Sequence, residues 1–193
     1  MRYQIAPAFR VTLFMTVLTG LIYPGIVTGL CQMLFPHRAN GSIVEVDGKV
    51  VGSALIGQNF TKPQYFHPRP SAAGNDGYDA SASSASNYGP TNQKLIDRVK
   101  ADVEKFHREN PAYNGPIPAD LVTASASGLD PDLSPASAEA QAARIAEARG
   151  VPGDQILKII RDNTTARTLG FLGEPRVNVL ALNLELDRQF PRR

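Results

Sequence analysis

The chain has 193 residues, with 20 Lys and Arg against 18 Asp and Glu, and a formal net charge of +2. So balanced a charge gives no indication of nucleic acid or of anionic substrates as partners. The single cysteine excludes an internal disulfide. The length suits one folded domain and is short for two.

The N-terminal part of the chain predicts a membrane span. Residues 11–35 read VTLFMTVLTGLIYPGIVTGLCQMLF and contain no charged residue. As a helix they would extend about 37 Å, which is enough to cross the ~30 Å hydrocarbon core with some tilt. A cleaved signal peptide is the alternative, but its apolar region is usually about 7 to 15 residues long and ends in an A-x-A-like site. The following FPHRANGS offers no such site, so we expect an uncleaved anchor.

The charges beside the span predict its orientation. Arg2, Arg10 and the α-amine precede it, whereas Arg38 and Lys49 follow it. This bias favours a cytoplasmic N-terminus. We therefore expect a cytoplasmic segment, a transmembrane helix and one extracytoplasmic domain. Their ranges would be residues 1–10, 11–35 and 36–193.

The span contains a proline and small residues that bear on helix packing. Pro24 removes a backbone donor near the middle of the helix, and Gly25 and Gly29 have the small-xxx-small spacing that permits close helix approach. A plain anchor explains these residues, and a helix packed within an assembly is the other interpretation. The packing face would comprise Gly20, Tyr23, Pro24, Gly25, Thr28 and Gly29.

The remaining sequence predicts an α+β domain that begins with a β-hairpin. Asp47-Gly48 joins two β-branched runs, which is favoured chemistry for a two-residue turn. Residues 91–110 have helical apolar spacing, with Thr91 or Asn92 as N-cap.

Further helices are predicted towards the C-terminus. One runs from the capping Ser134 to Gly150, and another covers residues 153–164 with isoleucines facing inward. In residues 176–190 the early alternation suggests a strand, whereas Asn178 as a cap would start a closing helix. We favour the helix.

A long polar stretch, residues 67–95, lies between the hairpin and the first of these helices. Its composition is typical of a flexible linker. However, Arg69, Tyr78 and Tyr88 interrupt the small polar residues, and the chain has no second domain to tether. We therefore predict an ordered surface loop that contacts a partner.

The sequence contains no recognisable catalytic motif. It has neither a P-loop nor a G-x-S-x-G elbow, and its three histidines form no metal-binding pattern. Turn formation explains the acidic residues best, although a membrane-anchored hydrolase that uses them with His67 remains an alternative. A ligand-binding module is a third possibility. The acidic residues concerned are Asp76, Asp79, Asp130 and Asp132.

Five segments, taken in order, carry a family resemblance. They read LTGLIYPGIVTG, GSALIGQNF, YFHPRPSAAGNDGYDASASSASNYGPTN, VTASASGLDPDLSPASAEAQAARIAEARG and VNVLALNLELD. Together they resemble the C subunit of the bacterial Kdp high-affinity potassium-transporting ATPase, from about residue 10 to residue 190.

The resemblance implies a single-span subunit without a catalytic site of its own, in an ATP-driven potassium uptake pump of the bacterial inner membrane. Its partners would be a channel-like potassium-binding subunit, a P-type ATPase subunit and membrane lipid. The family is described as a catalytic chaperone that raises the ATP affinity of the ATPase subunit through a ternary complex. Because this chain lacks a phosphate-binding motif, we expect ATP contact only through that subunit, and no other cofactor.

The resemblance and the composition together indicate which residues would meet the partners. Those predicted for the docking loop are Arg69, Pro70, Ser71, Asn75, Tyr78, Ser86, Asn87, Tyr88, Thr91 and Asn92. A second block of residues that the family shares comprises Ser125, Ser127, Gly128, Asp130 and Pro131.

Overall fold

The computed structural model of the chain describes residues 2–191. Contacts within the chain divide it after Val51 into an N-terminal and a C-terminal unit. The N-terminal unit contains the apolar helix, and the C-terminal unit contains the folded domain.

The N-terminal unit begins with one long helical run. Helix α1 (Arg2–Val17) continues through a π-helical segment (Leu18–Ile22) into helix α2 (Tyr23–Leu34), and a short helix α3 (Pro36–Ala39) follows. Within this run, Tyr3–Leu34 is long and apolar enough to cross a membrane, and it is not buried within the chain. The helix starts earlier than the predicted span, which began at residue 11.

The π-helical segment lets the helix pass Pro24 without a break. A π-type bond runs from the Tyr23 N–H to the Leu18 carbonyl, five residues back. In addition, the Thr19 hydroxyl donates to the Met15 carbonyl at 2.6 Å. The widened turn and this hydroxyl adjust the bonding ahead of the proline, as polar groups do in proline-containing membrane helices.

The predicted hairpin is confirmed. Strands β1 (Ile43–Val46) and β2 (Lys49–Ser53) form a two-stranded sheet. At the turn, Asp47 has φ 51° and Gly48 has φ 73°. Two consecutive positive φ angles are the mark of a type I′ turn, which matches the twist of the flanking strands.

The C-terminal unit combines helices with a small sheet, which confirms the α+β class. The sheet has three short antiparallel strands with β5 in the middle, in the order β3-β5-β4. Besides the β1–β2 hairpin, the sequence suggested a strand at the start of residues 176–190. It gave no sign of β3 and β4, because two-residue strands carry no readable alternation. The helices are α4 (Gln93–Glu109), α5 (Pro135–Glu139), α6 (Ala142–Arg149), α7 (Gly153–Asp162) and α8 (Val179–Gln189). The strands are β3 (Asp132–Leu133), β4 (Thr164–Thr165) and β5 (Arg176–Asn178).

The hydrophobic core lies among α5, α6, α7, α8 and the sheet. Helix α7 turns Ile156, Ile159 and Ile160 inward, as predicted, and all three are buried. Helix α8 contributes Leu182 and Leu186. The core therefore consists mainly of aliphatic side chains at helical spacing.

Two helix ends behave as predicted. The Asn92 side chain caps α4 by accepting from the Lys94 N–H at 2.9 Å. Asn178 caps α8 by accepting from the Ala181 N–H at 3.0 Å, after contributing to β5. Both interpretations of residues 176–190 are therefore correct in part: a strand comes first and a helix follows.

The prediction of one helix from Ser134 to Gly150 is wrong, since the structure has two. Ser134 caps α5, and Gly150 ends α6 with φ 65°, as expected. Between them the chain turns at Gln141, which is buried. Its side chain donates to the Ser137 carbonyl and exchanges hydrogen bonds with the backbone of His67. The residue at which the helix breaks therefore also fixes a distant segment of the chain.

Candidate functional site: the polar loop

The polar loop, defined here as residues 67–92, starts from an extended segment fixed by two buried amide side chains. Asn183 exchanges hydrogen bonds with the backbone of Phe66, at 2.8 Å to its N–H and 3.0 Å to its carbonyl. Gln141 does the same for the backbone of His67, at 2.8 and 3.1 Å. Each amide takes the place of a neighbouring strand, so the start of the loop is bound to α8 and to the α5–α6 turn.

A buried arginine holds the residues just before the loop. Arg144 donates to the Tyr65 carbonyl at 3.0 Å, to Asn110 Oδ1 at 3.0 Å and to Gln141 Oε1 at 2.7 Å. Burial lowers the pKa of Arg144 to about 10, although the negative charge of Glu109 acts to raise it. The side chain nevertheless stays charged at neutral pH and is satisfied by hydrogen bonds, as a buried charge must be.

Within the loop, the hydroxyl of Ser71 joins three backbone groups. It donates to the Gly128 carbonyl at 2.6 Å and accepts from the N–H groups of Ala73 and Tyr78 at 3.1 and 2.8 Å. These bonds close the turn at residues 71–78 and attach it to the serine-rich segment, defined here as residues 123–131. One side chain therefore sets the shape of this part of the loop.

Tyr78 is part of the framework of the loop. Its backbone has φ 59°, and its hydroxyl donates to the Arg69 carbonyl at 2.7 Å. A Cβ on Gly57 would lie 2.5 Å from the Asp130 carbonyl and would also meet the Tyr78 ring. Burial and the charge of Asp130 raise the pKa of Tyr78 above its usual value, although Arg69 opposes this. The phenol is therefore neutral and held in a close-packed position.

An ion pair attaches the loop to the serine-rich segment. Arg69 Nη1 lies 2.6 Å from Asp130 Oδ2, and its Nη2 donates to the Thr123 carbonyl at 3.3 Å. Asp130 Oδ1 also accepts from the Asp132 N–H at 3.0 Å. Arg69 and Asp130 belong to two separate family blocks in the sequence, and the structure brings the two side chains together.

Serine hydroxyls complete the attachment. Ser84 donates to the Ala72 carbonyl at 2.7 Å, and Ser83 donates to the Ser127 carbonyl at 2.9 Å. The Ser84 N–H also donates to the Ser127 carbonyl at 3.1 Å. The loop is thus bonded internally and along the serine-rich segment, unlike the flexible linker that its composition suggests.

The residues predicted for docking divide into two groups. Arg69, Ser71 and Tyr78 use their polar groups within the domain, and Ser86 accepts from Arg98 at 3.0 Å. The outward-facing residues are Asn75, Asn87, Tyr88, Thr91 and Asn92. Pro70 is half-buried beside them.

In the second family block, Gly128 and Ser125 are the most closely packed. A Cβ on Gly128 would lie 2.7 Å from the Ala73 nitrogen, so the glycine allows the loop to approach. Ser125 is buried, and its hydroxyl has no hydrogen-bond partner within the described part of the chain. Ser127 receives the bonds from the loop, and Pro131 is half-buried. The block is therefore the base on which the loop rests.

A cleft of about 330 Å³ lies between the loop and α4. In it, His67 Nδ1 lies 3.2 Å from Glu109 Oε2, and His67 Nε2 lies 3.1 Å from the Lys62 carbonyl. Partial burial tends to raise the pKa of Glu109, but the hydrogen bond from His67 and the nearby charges of Lys105 and Arg144 lower it overall. His67 is therefore oriented by Glu109.

Three of the four acidic residues of the hydrolase alternative, Asp79, Asp130 and Asp132, have structural partners for their side chains. Asp79 accepts from the Ser81 N–H at 2.9 Å, and Asp130 pairs with Arg69 as described. Asp132 lies 3.0 Å from Arg176 Nε. Asp76 lines the cleft. Among residues 2–191, no group of three or more His, Cys, Asp or Glu side chains could hold a metal ion.

The predicted packing face of the membrane helix is exposed in this chain. A Cβ on Gly20, Gly25 or Gly29 would have no neighbour within 4 Å. Tyr23, Pro24 and Thr28 are exposed as well. That this face packs against helices of other proteins therefore stays a prediction.

The sequence did not point to the buried amides and arginine that hold the loop. Gln141, Arg144 and Asn183 occur at inward-facing positions of otherwise apolar helical patterns. A polar residue at such a position is the signal that could have identified them, because buried polar groups require partners.

Comparisons with known proteins agree over nearly the whole chain. The family model described as "K+-transporting ATPase, c chain" matches residues 5–188. The chain is 60% identical to the potassium-transporting ATPase KdpC subunit of Myxococcus xanthus, over 95% of this chain and 87% of the relative. It is 57% identical to that of Gemmatimonas aurantiaca, over 97% and 94%, and 54% identical to that of Mycobacterium bovis, over 97% and 100%. The chain therefore belongs to the family of the c chain of the K+-transporting ATPase.

Proposed function

We propose that this chain is a non-catalytic, single-span subunit of an ATP-driven potassium uptake pump in the bacterial inner membrane. Its N-terminus would be cytoplasmic and residues 36–193 extracytoplasmic. The observation that carries the proposal is the family match over residues 5–188. The apolar helix Tyr3–Leu34 supports the membrane location, and the charges that flank the span support the orientation.

The polar loop is the proposed docking surface for the channel-like potassium-binding subunit or the P-type ATPase subunit. Its outward residues, Asn75, Asn87 and Tyr88, offer amides and an aromatic ring, which suit a polar protein interface. The inward hydrogen bonds of Ser71, Ser83 and Ser84 hold these residues in place, so little conformational entropy is lost on docking.

The proposed regulatory effect is a higher affinity of the ATPase subunit for ATP. ATP is cytoplasmic and the domain would lie on the other side of the membrane, so the effect would be allosteric and ATP would be contacted only through the ATPase subunit. The membrane helix could transmit it by packing differently in two states of the pump. Gly25 and Gly29 would permit the close helix contacts involved.

Reconstitution of the pump with and without this chain tests the proposal. Potassium-stimulated ATP hydrolysis would be measured across ATP concentrations. If the chain raises the ATP affinity of the ATPase subunit, its omission should raise the apparent KM for ATP while the remaining subunits still assemble. If the remaining subunits no longer assemble, the chain is a scaffold instead. ATP binding at micromolar affinity by this chain alone would contradict the indirect mechanism.

Cysteine labelling tests the orientation. Cys31→Ser would remove the native thiol, and Ala148→Cys would place a new one at an exposed position of α6. This position is preferable to Gly150, whose φ of 65° disfavours a side chain. Labelling of intact spheroplasts by a membrane-impermeant maleimide is expected. Labelling only after lysis would refute an extracytoplasmic domain.

A further inference from the structure

An apolar loop between β4 and β5 is not explained by the core or by the polar loop. The apolar finger, defined here as residues 169–172, presents three large hydrophobic side chains to solvent. Leu169 is 79% exposed, Phe171 is 69% exposed and Leu172 is 49% exposed. Contiguous exposed groups of this kind mark interaction sites, whereas single exposed hydrophobic residues are ordinary.

The finger has a fixed shape. The backbones of Thr168 and Leu172 exchange two hydrogen bonds, each 2.9 Å long, and the Gly170 N–H donates to the Arg167 carbonyl at 3.1 Å. At the base, Arg167 Nη2 lies 2.6 Å from Glu174 Oε2. These bonds close a turn and leave the hydrophobic side chains outside it.

The backbone of the finger supports a functional interpretation. Leu169 has φ 55°, a left-handed conformation that is uncommon for a bulky residue that is not glycine. Since its side chain is almost fully exposed, no burial within the chain offsets this strain. Strain that the rest of the fold imposes is often found at binding sites.

The charges near the finger indicate whether a membrane or a protein surface is the better apolar partner. The two arginines in the segment from β4 to β5 are both paired: Arg167 with Glu174, and Arg176 with Asp132 at 3.0 Å. The four charges sum to zero, so this surface offers little attraction to an anionic bilayer. Membrane-inserting segments usually add basic residues to their apolar ones. A neutral apolar recess on a protein fits better.

We propose that the apolar finger seats in an apolar recess on another subunit of the pump. This contact would be additional to the one made by the polar loop, and it rests on the proposed function, because it requires the assembled complex. Phe171 would be the main anchor, since aromatic side chains that fill pockets contribute most at protein interfaces.

Photo-crosslinking in the intact complex tests the proposal. A benzophenone amino acid would replace Phe171, with Tyr88 as the position that tests the polar loop and Glu104, an exposed residue of α4, as the control. We expect crosslinks from position 171 to another subunit, identified by mass, and none from position 104. Crosslinks to lipid alone, or none from position 171, would overturn the proposal. Crosslinks at position 88 would then show that docking itself holds, whereas a chain that does not co-purify with other subunits would refute the proposed function.

Substitution gives a second measurement. Phe171→Ser should lower the affinity for the remaining subunits by about tenfold or more, because the phenylalanine side chain that would be buried at the interface is lost. Its melting temperature in detergent should stay unchanged, since the side chain is exposed. Ile96→Ser on α4, 39% exposed, is the matched control and should assemble normally. Equal affinity of the Phe171→Ser variant and the unaltered chain would contradict the proposal.

Discussion

Replacement of Ser71 by alanine should open the polar loop without unfolding the domain. The hydroxyl makes three hydrogen bonds, to the Gly128 carbonyl and to the N–H groups of Ala73 and Tyr78. Each such bond contributes about 0.5 to 1.5 kcal/mol net, so their loss should cost about 2 to 4 kcal/mol locally. The equilibrium constant for local opening should then rise by about 30- to 1000-fold.

Hydrogen exchange of the full-length chain in detergent measures this effect. Amides of residues 71–80 should exchange faster in Ser71→Ala, whereas those of α7 should keep their protection. Ser83→Ala is the matched control, since its hydroxyl makes one exposed bond, to the Ser127 carbonyl. It should cost about 1 kcal/mol or less. Equal exchange in the two variants would refute the role of Ser71 as the residue that sets the loop.

Three further predictions concern the same region. Because its surroundings lower the pKa of Glu109, the contribution of this residue to stability should be complete above about pH 4.5 and be lost as the pH falls further. The urea midpoint should therefore fall on the acid side, and Glu109→Gln should make this fall shallower. Because burial and Asp130 raise the pKa of Tyr78, its contribution should be complete below about pH 10 and lost as the pH rises further, and Tyr78→Phe should remove that alkaline loss. Gly57→Ala should lower the melting temperature, since its Cβ would lie 2.5 Å from the Asp130 carbonyl, whereas Gly89→Ala, which has open space, should not; equal melting temperatures would contradict the close packing.

Local sequence signals predicted the elements that depend on neighbouring residues. The Asp47-Gly48 turn and the Asn92 and Asn178 caps form within a few residues, so their chemistry is visible in the sequence. The isoleucines of α7 follow from helical spacing alone. Strands β3 and β4 were missed because two-residue strands carry no readable alternation, and because β3 pairs with β5 across more than 40 residues. The break at Gln141 was missed for a similar reason, since its partner His67 lies far away in sequence.

The order of the polar loop was predicted, but the contacts that produce this order were not. Composition indicated a linker, and only the interrupting residues and the family resemblance indicated an ordered surface. The contacts that order it, such as Arg69 with Asp130 and Asn183 with Phe66, span more than 60 residues and leave no local pattern. The sequence therefore could not show whether Arg69 and Tyr78 bond within the domain or contact a partner.

This arrangement changes how the polar loop should be dissected. Arg69, Ser71 and Tyr78 form its framework, so their removal would disturb the proposed docking indirectly, through the shape of the loop. Asn75 and Tyr88 face outward, so their replacement would leave the shape intact and delete contacts alone. Asn87 is less suitable, because its φ of 50° is a conformation that asparagine tolerates better than most residues. Hydrogen exchange separates the two cases, because only framework variants lose protection. A loss of assembly without any loss of protection would therefore identify the residues that touch the partner.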